Sequence, residues 1–329
     1  MAKIYTDIKS SFETLIQKFK NRGFYFSEFM LECDDPCLPV DTEWNYKDIA
    51  HVPFLHHHAI REFIYIGNNV YTTLDFQKVM GITIPQSTLF YSNVEDNKTI
   101  CHSTLFFGII LIETSFQPIG ELKTRTIARY AIGSKFILGR LLHPIIKFGV
   151  IRNWKRFNED DRLTRSRKGA LRQKGYTFDT QSPVDHLKTI DTSKNGILIL
   201  KEGSKSHQPK ERRKLTLSKN MNKNILVGED DHLGLQIKIT PKVIRIFPRL
   251  CPHQGGSLDN CDLNVLSIAC PWHGRKFTAL CSIRHNGKQQ TYSGPYHKVT
   301  YESDVLEIIF ETSPKDNSNW TLPWILNSH

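Results

Sequence analysis

The pattern of hydrophobic and polar residues predicts that the first part of the chain consists mainly of strands. A short amphipathic helix precedes them over Ser11–Arg22, where apolar residues from Phe12 to Phe19 recur at helical spacing. From residue 61 onward β-branched and aromatic residues predominate, and turn residues separate the apolar runs. The predicted strands are Phe63–Asn68, Val70–Phe76, Ser87–Ser92 and Thr99–Thr114. Their succession indicates an antiparallel sheet.

The pattern changes to helical spacing after residue 120 and returns to strands near the C-terminus. Ile127–Arg156 mixes aliphatic and basic residues at helical spacing, with an interruption expected at Pro144, and Asp160–Lys174 is predicted as a polar surface helix. Gly203–Arg213 has the composition of a linker. Later strands are predicted over Gly234–Phe247, Val265–Ala269 and Val305–Phe310. We therefore expect an α+β chain: residues 1–202 with an antiparallel sheet and a long helix, a linker at 203–213, and a small all-β domain at 214–329.

Composition narrows the class of protein. The 329 residues fit two domains, and 39% hydrophobic residues are enough for ordinary cores. The net charge of +11 suits a nucleic acid, an anionic membrane or an acidic protein partner, but the sequence shows no zinc-finger, RNP or helix-turn-helix signature, so we expect no nucleic-acid partner. We expect no signal peptide at Met1–Ser10, which is polar, and no apolar run approaches the ~20 residues that span a bilayer. Seven cysteines, an odd number, favour a reducing, cytoplasmic location.

The basic residues between Lys123 and Arg172 allow two interpretations. Lysine and arginine side chains recur among aliphatic ones throughout this stretch. The simpler interpretation is a helical region with one buried and one solvated face. The alternative is a surface for an acidic redox partner or for peripheral contact with a membrane.

Four residues near the C-terminus have the types and spacing of a metal site. Cys251-x-His253 is followed after sixteen residues by Cys270-x-x-His273, so each of two loops offers one thiolate and one imidazole. Three glycines would let backbone N–H groups approach a bound cluster, namely Gly255, Gly256 and Gly274. Zinc could also use two cysteines and two histidines, but zinc fingers favour Cys-x-x-Cys pairs followed by a helix.

The stretch Leu215–Phe310 closely resembles the Rieske family. In a Rieske [2Fe–2S] cluster the two cysteines bind one iron and the two histidines bind the other. Rieske proteins of respiratory complexes carry a further cysteine in each loop, joined as a disulfide, where this chain has Gly256 and Trp272. The resemblance therefore points to the oxygenase and ferredoxin branch. We interpret Cys261 and Cys281 as free structural cysteines.

A second group of metal-binding residue types lies near the N-terminus, where His51 and His56 are five residues apart. Taken alone, such a pair is more often structural than metal-binding. The segment nevertheless resembles the Asn-x-x-Asp-x-x-His-x-x-x-x-His motif of Rieske non-haem oxygenases at Asn45, Asp48, His51 and His56. The resemblance implies that the two histidines belong to a 2-His-1-carboxylate iron site and that Asp48 couples a cluster histidine to an iron histidine. His57 and His58 are interpreted as bystanders.

The third iron ligand should be a carboxylate in Phe157–Leu163, where the family often has Glu-x-Asp-Arg. We choose Asp161, with Asp160 as the close rival. The alternative is an acidic helix start stabilised by the helix dipole.

The resemblance implies a START-like (helix-grip) catalytic domain whose apolar cavity holds a hydrophobic small molecule. It also implies mononuclear Fe(II), O₂ as co-substrate, and electrons from NAD(P)H through a ferredoxin or flavin reductase. A homotrimer would follow the family, although the catalytic domain comes second in the oxygenases and first here. The alternative is a Rieske electron-transfer or sensing protein that binds a ligand and has no second iron.

Overall fold

The computed structural model describes most of the chain. The described residues are 12–48, 51–56, 64–67, 70–79, 82–93, 98–105, 108–178, 198–200, 211–218, 221–230, 234–251, 253–259, 261, 267–274, 276–285, 288–293 and 297–310. They divide between Gly169 and Ala170 into two compact units. This division lies within a long helix, before the boundary at residue 202 that the sequence indicated.

The N-terminal unit is built on a seven-stranded antiparallel sheet. Its strands are β1 Tyr25–Asp35, β2 Ile64–Gly67, β3 Val70–Val79, β4 Ile82–Asn93, β5 Lys98–Leu105, β6 Gly108–Gly120 and β7 Lys123–Ser134. The order across the sheet is β1-β7-β6-β5-β4-β3-β2, so consecutive hairpins form most of it and β1 closes one edge beside β7. The expected antiparallel sheet is confirmed.

Within the described residues five helices accompany this sheet: α1 Phe12–Lys20, α2 Pro39–Lys47, α3 Val52–Leu55, α4 Ile137–Leu141 and α5 His143–Gln173. Phe12 and Ile16 of α1 pack against Ile109, Leu111 and Ala131. The inward side of α5 packs against the alternate positions of the same strands, among them Ile110 and Ile132. Since successive side chains of a strand point to opposite faces, α1 and α5 lie on opposite faces of the sheet. The amphipathic helix near residue 12 and the long helix are confirmed.

The prediction of helical structure over Ile127–Arg156 is wrong for the first part of this range. Residues 123–134 form β7, in which threonine, isoleucine and tyrosine alternate with basic and small residues, and the side chains alternate in burial. This two-residue period is typical of a strand with one face against a core. The interruption expected at Pro144 is confirmed, because α4 ends at Leu141 and α5 begins at His143. Pro144 is the second residue of α5, within the first turn, where a proline breaks no helical hydrogen bond.

Three other boundaries also differ from the sequence prediction. Thr99–Thr114 is not one strand but parts of β5 and β6, which pair with each other as a hairpin. Asp160–Lys174 is not a separate helix, because α5 runs unbroken to Gln173. Strand β1 was missed, since its acidic residues and weak apolar pattern conceal an edge strand.

The second unit is all-β after the end of α5, as expected. Its strands are β8 Tyr176–Phe178, β9 Leu198–Leu200, β10 Glu211–Thr216, β11 Lys223–Val227, β12 Leu235–Ile239, β13 Val243–Pro248, β14 Ser267–Ala269, β15 Lys276–Thr278, β16 Cys281–Arg284, β17 Gln290–Ser293, β18 His297–Glu302 and β19 Val305–Phe310. Two four-stranded sheets, β10-β19-β18-β17 and β11-β12-β13-β16, enclose one aliphatic core. The short hairpin β14–β15 presents the second ligand-bearing loop.

Two sequence boundaries change in this unit. Gly234–Phe247 is a hairpin, β12 and β13, rather than one strand. The predicted linker at 203–213 ends earlier than expected, because Glu211–Arg213 pair with Ile308–Phe310 in the β10–β19 ladder. Residues 203–210 of that linker lie outside the described residues. No helix within the described part of the chain is long and apolar enough to cross a membrane.

His297 is a buried histidine in the C-terminal unit, and its burial makes the stability of the fold depend on pH. Its side chain is fully buried between the rings of Tyr292 and Phe310, and neither ring nitrogen has a hydrogen-bond partner among the described residues. Burial lowers the pKa of His297 from 6.5 to about 4. The unfolded chain therefore binds a proton between these pH values that the folded chain does not bind, so folding stability falls as the pH is lowered through that window.

We expect His297→Phe to remove most of this acid sensitivity. The buried histidine should cost the wild type about 3 kcal/mol between pH 6.5 and pH 4. Urea unfolding of both proteins at pH 7 and pH 5 measures the difference, and the variant should gain stability relative to the wild type at the lower pH. An equal loss in both proteins would show that His297 is not a buried neutral imidazole.

Candidate metal centres

The first candidate centre lies where α2, α3 and α5 meet in the N-terminal unit. Asp48 is the C-cap residue of α2, while His51 and His56 are the N-cap and C-cap residues of α3. Because α3 is a single turn, it holds the two imidazoles close together, with ring centroids 5.3 Å apart. Asp161 reaches the same place from α5.

The two histidines face one carboxylate oxygen. Nε2 of His51 is 3.3 Å and Nε2 of His56 is 3.1 Å from Oδ1 of Asp161. One ligand atom from each of the three residues falls within 4.8 Å of the others; both histidines are buried, and Asp161 is 9% exposed. The structure therefore brings together the three residues that the sequence proposed as iron ligands.

Each imidazole has a second carboxylate on its other nitrogen. Oδ2 of Asp48 lies 3.6 Å from Nδ1 of His51, and Oδ2 of Asp160 lies 3.3 Å from Nδ1 of His56. A carboxylate at Nδ1 favours a proton there, which leaves the Nε2 lone pair directed at the shared point. Asp160, the rival for third ligand, thus faces the far side of His56 while Asp161 faces the near side.

Hydrogen bonds join the site to the helices that carry it. The side-chain amide of Asn45 on α2 donates to the hydroxyl of Thr164 at 3.3 Å, and that hydroxyl donates to the carbonyl of Asp161 at 2.7 Å. Gly169, two turns further along α5, passes so close to Pro36 that an added Cβ would overlap its carbonyl oxygen. These contacts hold α5 against the segment before α2, and thereby set where Asp161 meets the histidines.

A buried polar network that the sequence did not indicate lies one turn beyond Asp161. Arg165 is fully buried, with Nε 3.3 Å from Oδ1 of Asp35, and it donates to the side-chain oxygen of Asn158 at 2.9 Å. The hydroxyl of Tyr46 donates to the same Asn158 oxygen at 3.1 Å. No local pattern marks these residues, because their partners come from three separate elements.

The electrostatics of the site favour a cation between the three ligands. Burial alone would lower the pKa of His51, but the carboxylates of Asp161 and Asp48 raise it to about 9. Burial would raise the pKa of Asp161, yet the two imidazoles hold it well below its usual range. A buried ionised carboxylate between two imidazoles requires a positive charge, which a proton or a divalent metal ion can supply.

The donor set fits a mononuclear metal ion. Two imidazole nitrogens and one carboxylate oxygen form the ligand set of 2-His-1-carboxylate Fe(II) sites, and the same set also suits zinc. Carboxylates at the outer nitrogens are the usual supporting partners of metal-bound histidines. His57 and His58 lie outside the described residues.

The second candidate centre is formed by two loops of the C-terminal unit. Cys251, Cys270 and His253 are buried, and the rings of His253 and His273 lie with centroids 4.7 Å apart. Each loop folds back on its own cysteine: the carbonyl of Cys251 accepts from the N–H of Gly255 at 2.9 Å, and the carbonyl of Cys270 accepts from the N–H of Gly274 at 2.8 Å. Both glycines have positive φ, 77° and 64°, which side chains disfavour.

The arrangement fits a [2Fe–2S] cluster. A Cβ at Gly256 would lie 3.2 Å from Sγ of Cys270 and 3.0 Å from the ring of Trp272, so this glycine leaves room beside the thiol. A hydrogen bond with the Cys251 thiol, together with burial, raises the pKa of Cys270 well above its usual value. A cluster would supply the positive charge that stabilises the two buried cysteines as thiolates.

An ion pair that the sequence pattern does not indicate joins the two ends of the first loop. Arg249 donates to both carboxylate oxygens of Asp259, from Nε at 2.8 Å and from Nη2 at 2.6 Å. Arg249 and Asp259 flank the segment that carries Cys251 and His253, so the pair holds the ends of this segment together. An arginine two residues before Cys251 does not predict such a pair, because the partner is known only from the fold.

Comparisons with known proteins agree with the C-terminal centre. Residues 213–294 match the family model described as Rieske [2Fe–2S] domain, so this part of the chain is a Rieske domain. No curated relative matches the chain.

Several solved structures are similar to part of the chain. A Thermus thermophilus protein, TTHA0849, is 18% identical, with a TM-score of 0.37, over 42% of this chain and 95% of that one. The ZhuI aromatase/cyclase from a Streptomyces species is 8% identical, with a TM-score of 0.39, over 44% and 96%. Norcoclaurine synthase from Thalictrum flavum is 11% identical, with a TM-score of 0.38, over 44% and 89%.

Proposed function

We propose that this chain, whose residues 213–294 are a Rieske [2Fe–2S] domain, is a Rieske-type non-haem iron oxygenase. The observation that carries the proposal is the meeting of His51, His56 and Asp161 at one buried point. A Rieske domain alone would serve electron transfer. A mononuclear iron held by two histidines and one carboxylate would leave room for O₂, and it could receive the electrons that the Rieske cluster carries.

When bound, the cluster would supply electrons one at a time and Fe(II) would supply activation of O₂. The protein's own residues hold the donors for these groups. Asp160 orients the imidazole of His56 through Nδ1, Asp48 places a negative charge beside Nδ1 of His51, and the low exposure of Asp161 limits competition from bulk water for its oxygen atoms. The bridging role of Asp48 toward a cluster histidine is part of the proposal.

The proposed reaction is monooxygenation, demethylation or desaturation of a hydrophobic small molecule. The apolar cavity expected beneath the sheet depends on side chains of β2–β5, strands whose backbone is described but of whose side chains most are not. We propose that electrons come from NAD(P)H through a ferredoxin or flavin reductase, and that three chains form a ring as in the family. An acidic donor would suit the net charge of +11.

The second candidate function is a Rieske electron-transfer or sensing protein without the mononuclear iron. One observation favours it: both Nε2 atoms lie within hydrogen-bonding distance of Asp161, so a shared proton could satisfy the site. The histidines would then be structural. Iron binding at this site separates the two functions.

The proposed ligand set predicts different outcomes for two adjacent carboxylates. Asp161→Asn should weaken Fe(II) binding more than the roughly 10–100-fold that loss of an outer-shell partner costs, because it removes a charged ligand atom. Asp160→Asn, the matched control, should fall within that range, since it removes only the partner of His56 Nδ1. Both are measured as iron retained per chain after gel filtration without air over a series of ferrous concentrations. The opposite ranking would make Asp160 the ligand.

Catalysis can be tested without knowing the natural substrate. The chemically reduced wild type, mixed with O₂ and a panel of hydrophobic small molecules, should consume at least one of them and release an oxidised product found by mass spectrometry. His51→Ala should yield no such product. Product formation by this variant at the wild-type rate would refute the role proposed for the iron site.

A further inference from the structure

Large apolar side chains are exposed around α4 and the start of α5. The side chains of Ile137 and Leu141 are 80% and 71% exposed. The set, which we term the basic apolar patch after its flanking cations, comprises Phe136, Ile137, Leu138, Leu141, Ile145 and Phe148. Single exposed apolar residues are ordinary, but here six large ones are exposed within thirteen consecutive positions, more than the N-terminal unit needs to expose.

The core of the N-terminal unit does not require these side chains. The inward side of α5 is already provided by Ile146, Val150 and Trp154, which pack against the sheet at helical spacing. Ile145 and Phe148 lie on the outward side of the same turns and are more than half exposed. A helix that is apolar on both sides indicates a second contact beyond its own fold.

The segment that carries the patch bears charges of one sign. Six lysines and arginines and no aspartate or glutamate occur from residue 135 to residue 157. Within this stretch Lys135, Arg140 and Arg152 are exposed. The guanidinium of Arg140 lies 5.0 Å from the ring centroid of Tyr25, an aromatic residue that is itself 56% exposed. Exposed aliphatic and aromatic residues flanked by cations are the composition of surfaces that enter the headgroup region of a bilayer.

We propose that the basic apolar patch docks on the surface of a bilayer that contains anionic lipids. Its apolar side chains would enter the boundary between headgroups and acyl chains, and its lysines and arginines would meet lipid phosphates and carboxylates. A two-fold contact with a second copy would bring the same cations together, so the charge favours the lipid over self-association. The inference does not depend on the iron chemistry.

Vesicle sedimentation tests the proposal with the full-length protein. The wild type should sediment with vesicles of phosphatidylcholine and phosphatidylserine, and less so with phosphatidylcholine alone or at high salt. The double variant Ile137→Glu/Leu141→Glu should bind the anionic vesicles about tenfold more weakly or worse, because it places two carboxylates in the apolar surface. Leu163→Glu is the matched control, since this leucine is 75% exposed on α5 outside the patch, and it should bind like the wild type.

The outcomes separate the possible occupants of the patch. Equal binding by the wild type and the double variant would overturn the proposal, as would absence of wild-type binding to anionic vesicles. A wild type that forms oligomers, releases monomers on the double substitution and ignores vesicles would assign the patch to a second copy. A second variant, Lys135→Gln/Arg140→Gln, should lose the preference for anionic vesicles while keeping the apolar side chains.

Discussion

His51→Ala should lose the mononuclear iron and its turnover while the absorbance and EPR signals of the Rieske cluster stay unchanged. The substitution removes one of the two imidazoles that face Asp161. It leaves His56 and Asp161 as two ligands, which hold a divalent ion far less tightly than three. Activity should fall by more than about 100-fold, the upper end of what a lost outer-shell partner costs.

The variant should lose some stability, because the buried carboxylates of Asp48 and Asp161 lose an imidazole partner, but the start of the helix that carries His51 should be unaffected. His51 is the N-cap of a one-turn helix, and it makes no side-chain capping hydrogen bond. His51→Gln serves as the control for packing, because it keeps a polar side chain of similar length but a poor metal ligand, and it should also lose the iron. Full turnover by either variant would place the chemistry elsewhere.

Cys270→Ala should produce the reverse result: loss of the [2Fe–2S] cluster with the N-terminal iron site intact. Cys270 is buried beside Cys251, and its carbonyl closes the second loop by accepting from Gly274. A Rieske iron with one thiolate removed should not hold the cluster, and the C-terminal unit should lose the stability that metal binding lends to folding. The visible absorbance and the acid-labile sulfide should both disappear.

Cys281→Ala is the matched control for this substitution. Cys281 is a free, half-buried cysteine in β16 of the same unit. Its replacement should leave the cluster's spectrum and sulfide content at the wild-type level. A Cys270→Ala protein that retains its cluster, or a Cys281→Ala protein that loses it, would contradict the ligand assignment.

The sequence could indicate both centres because metal chemistry restricts residue types more than folding does. Cys251, His253, Cys270 and His273 can be read from spacing within two short loops. His51 and His56 are also close in the sequence, but their spacing alone does not distinguish ligands from structural histidines, so they required the family resemblance. Asp161 required it too, because it lies 105 residues after His56 and only the fold brings α5 to α3.

The parts that could not be predicted depend on tertiary contacts. The apolar residues from Ile127 onward fit the spacing of a helix and that of a strand. Hydrogen bonding to β1 and β6 makes this segment a strand as far as Ser134. The contact between Asn45 and Thr164 joins residues 119 positions apart. The buried pair of Arg165 and Asp35 is equally long-range, and a charged residue in a polar helix gives no local sign of burial.

Iron and acid-labile sulfide per chain, measured on protein purified without air, test the central claim most directly. We predict three irons and two sulfides per chain, with two irons in the Rieske cluster and one held by His51, His56 and Asp161. The third iron should be absent from His51→Ala. Two irons and two sulfides in the wild type, even after ferrous iron is added, would contradict the oxygenase proposal and leave an electron-transfer or sensing protein.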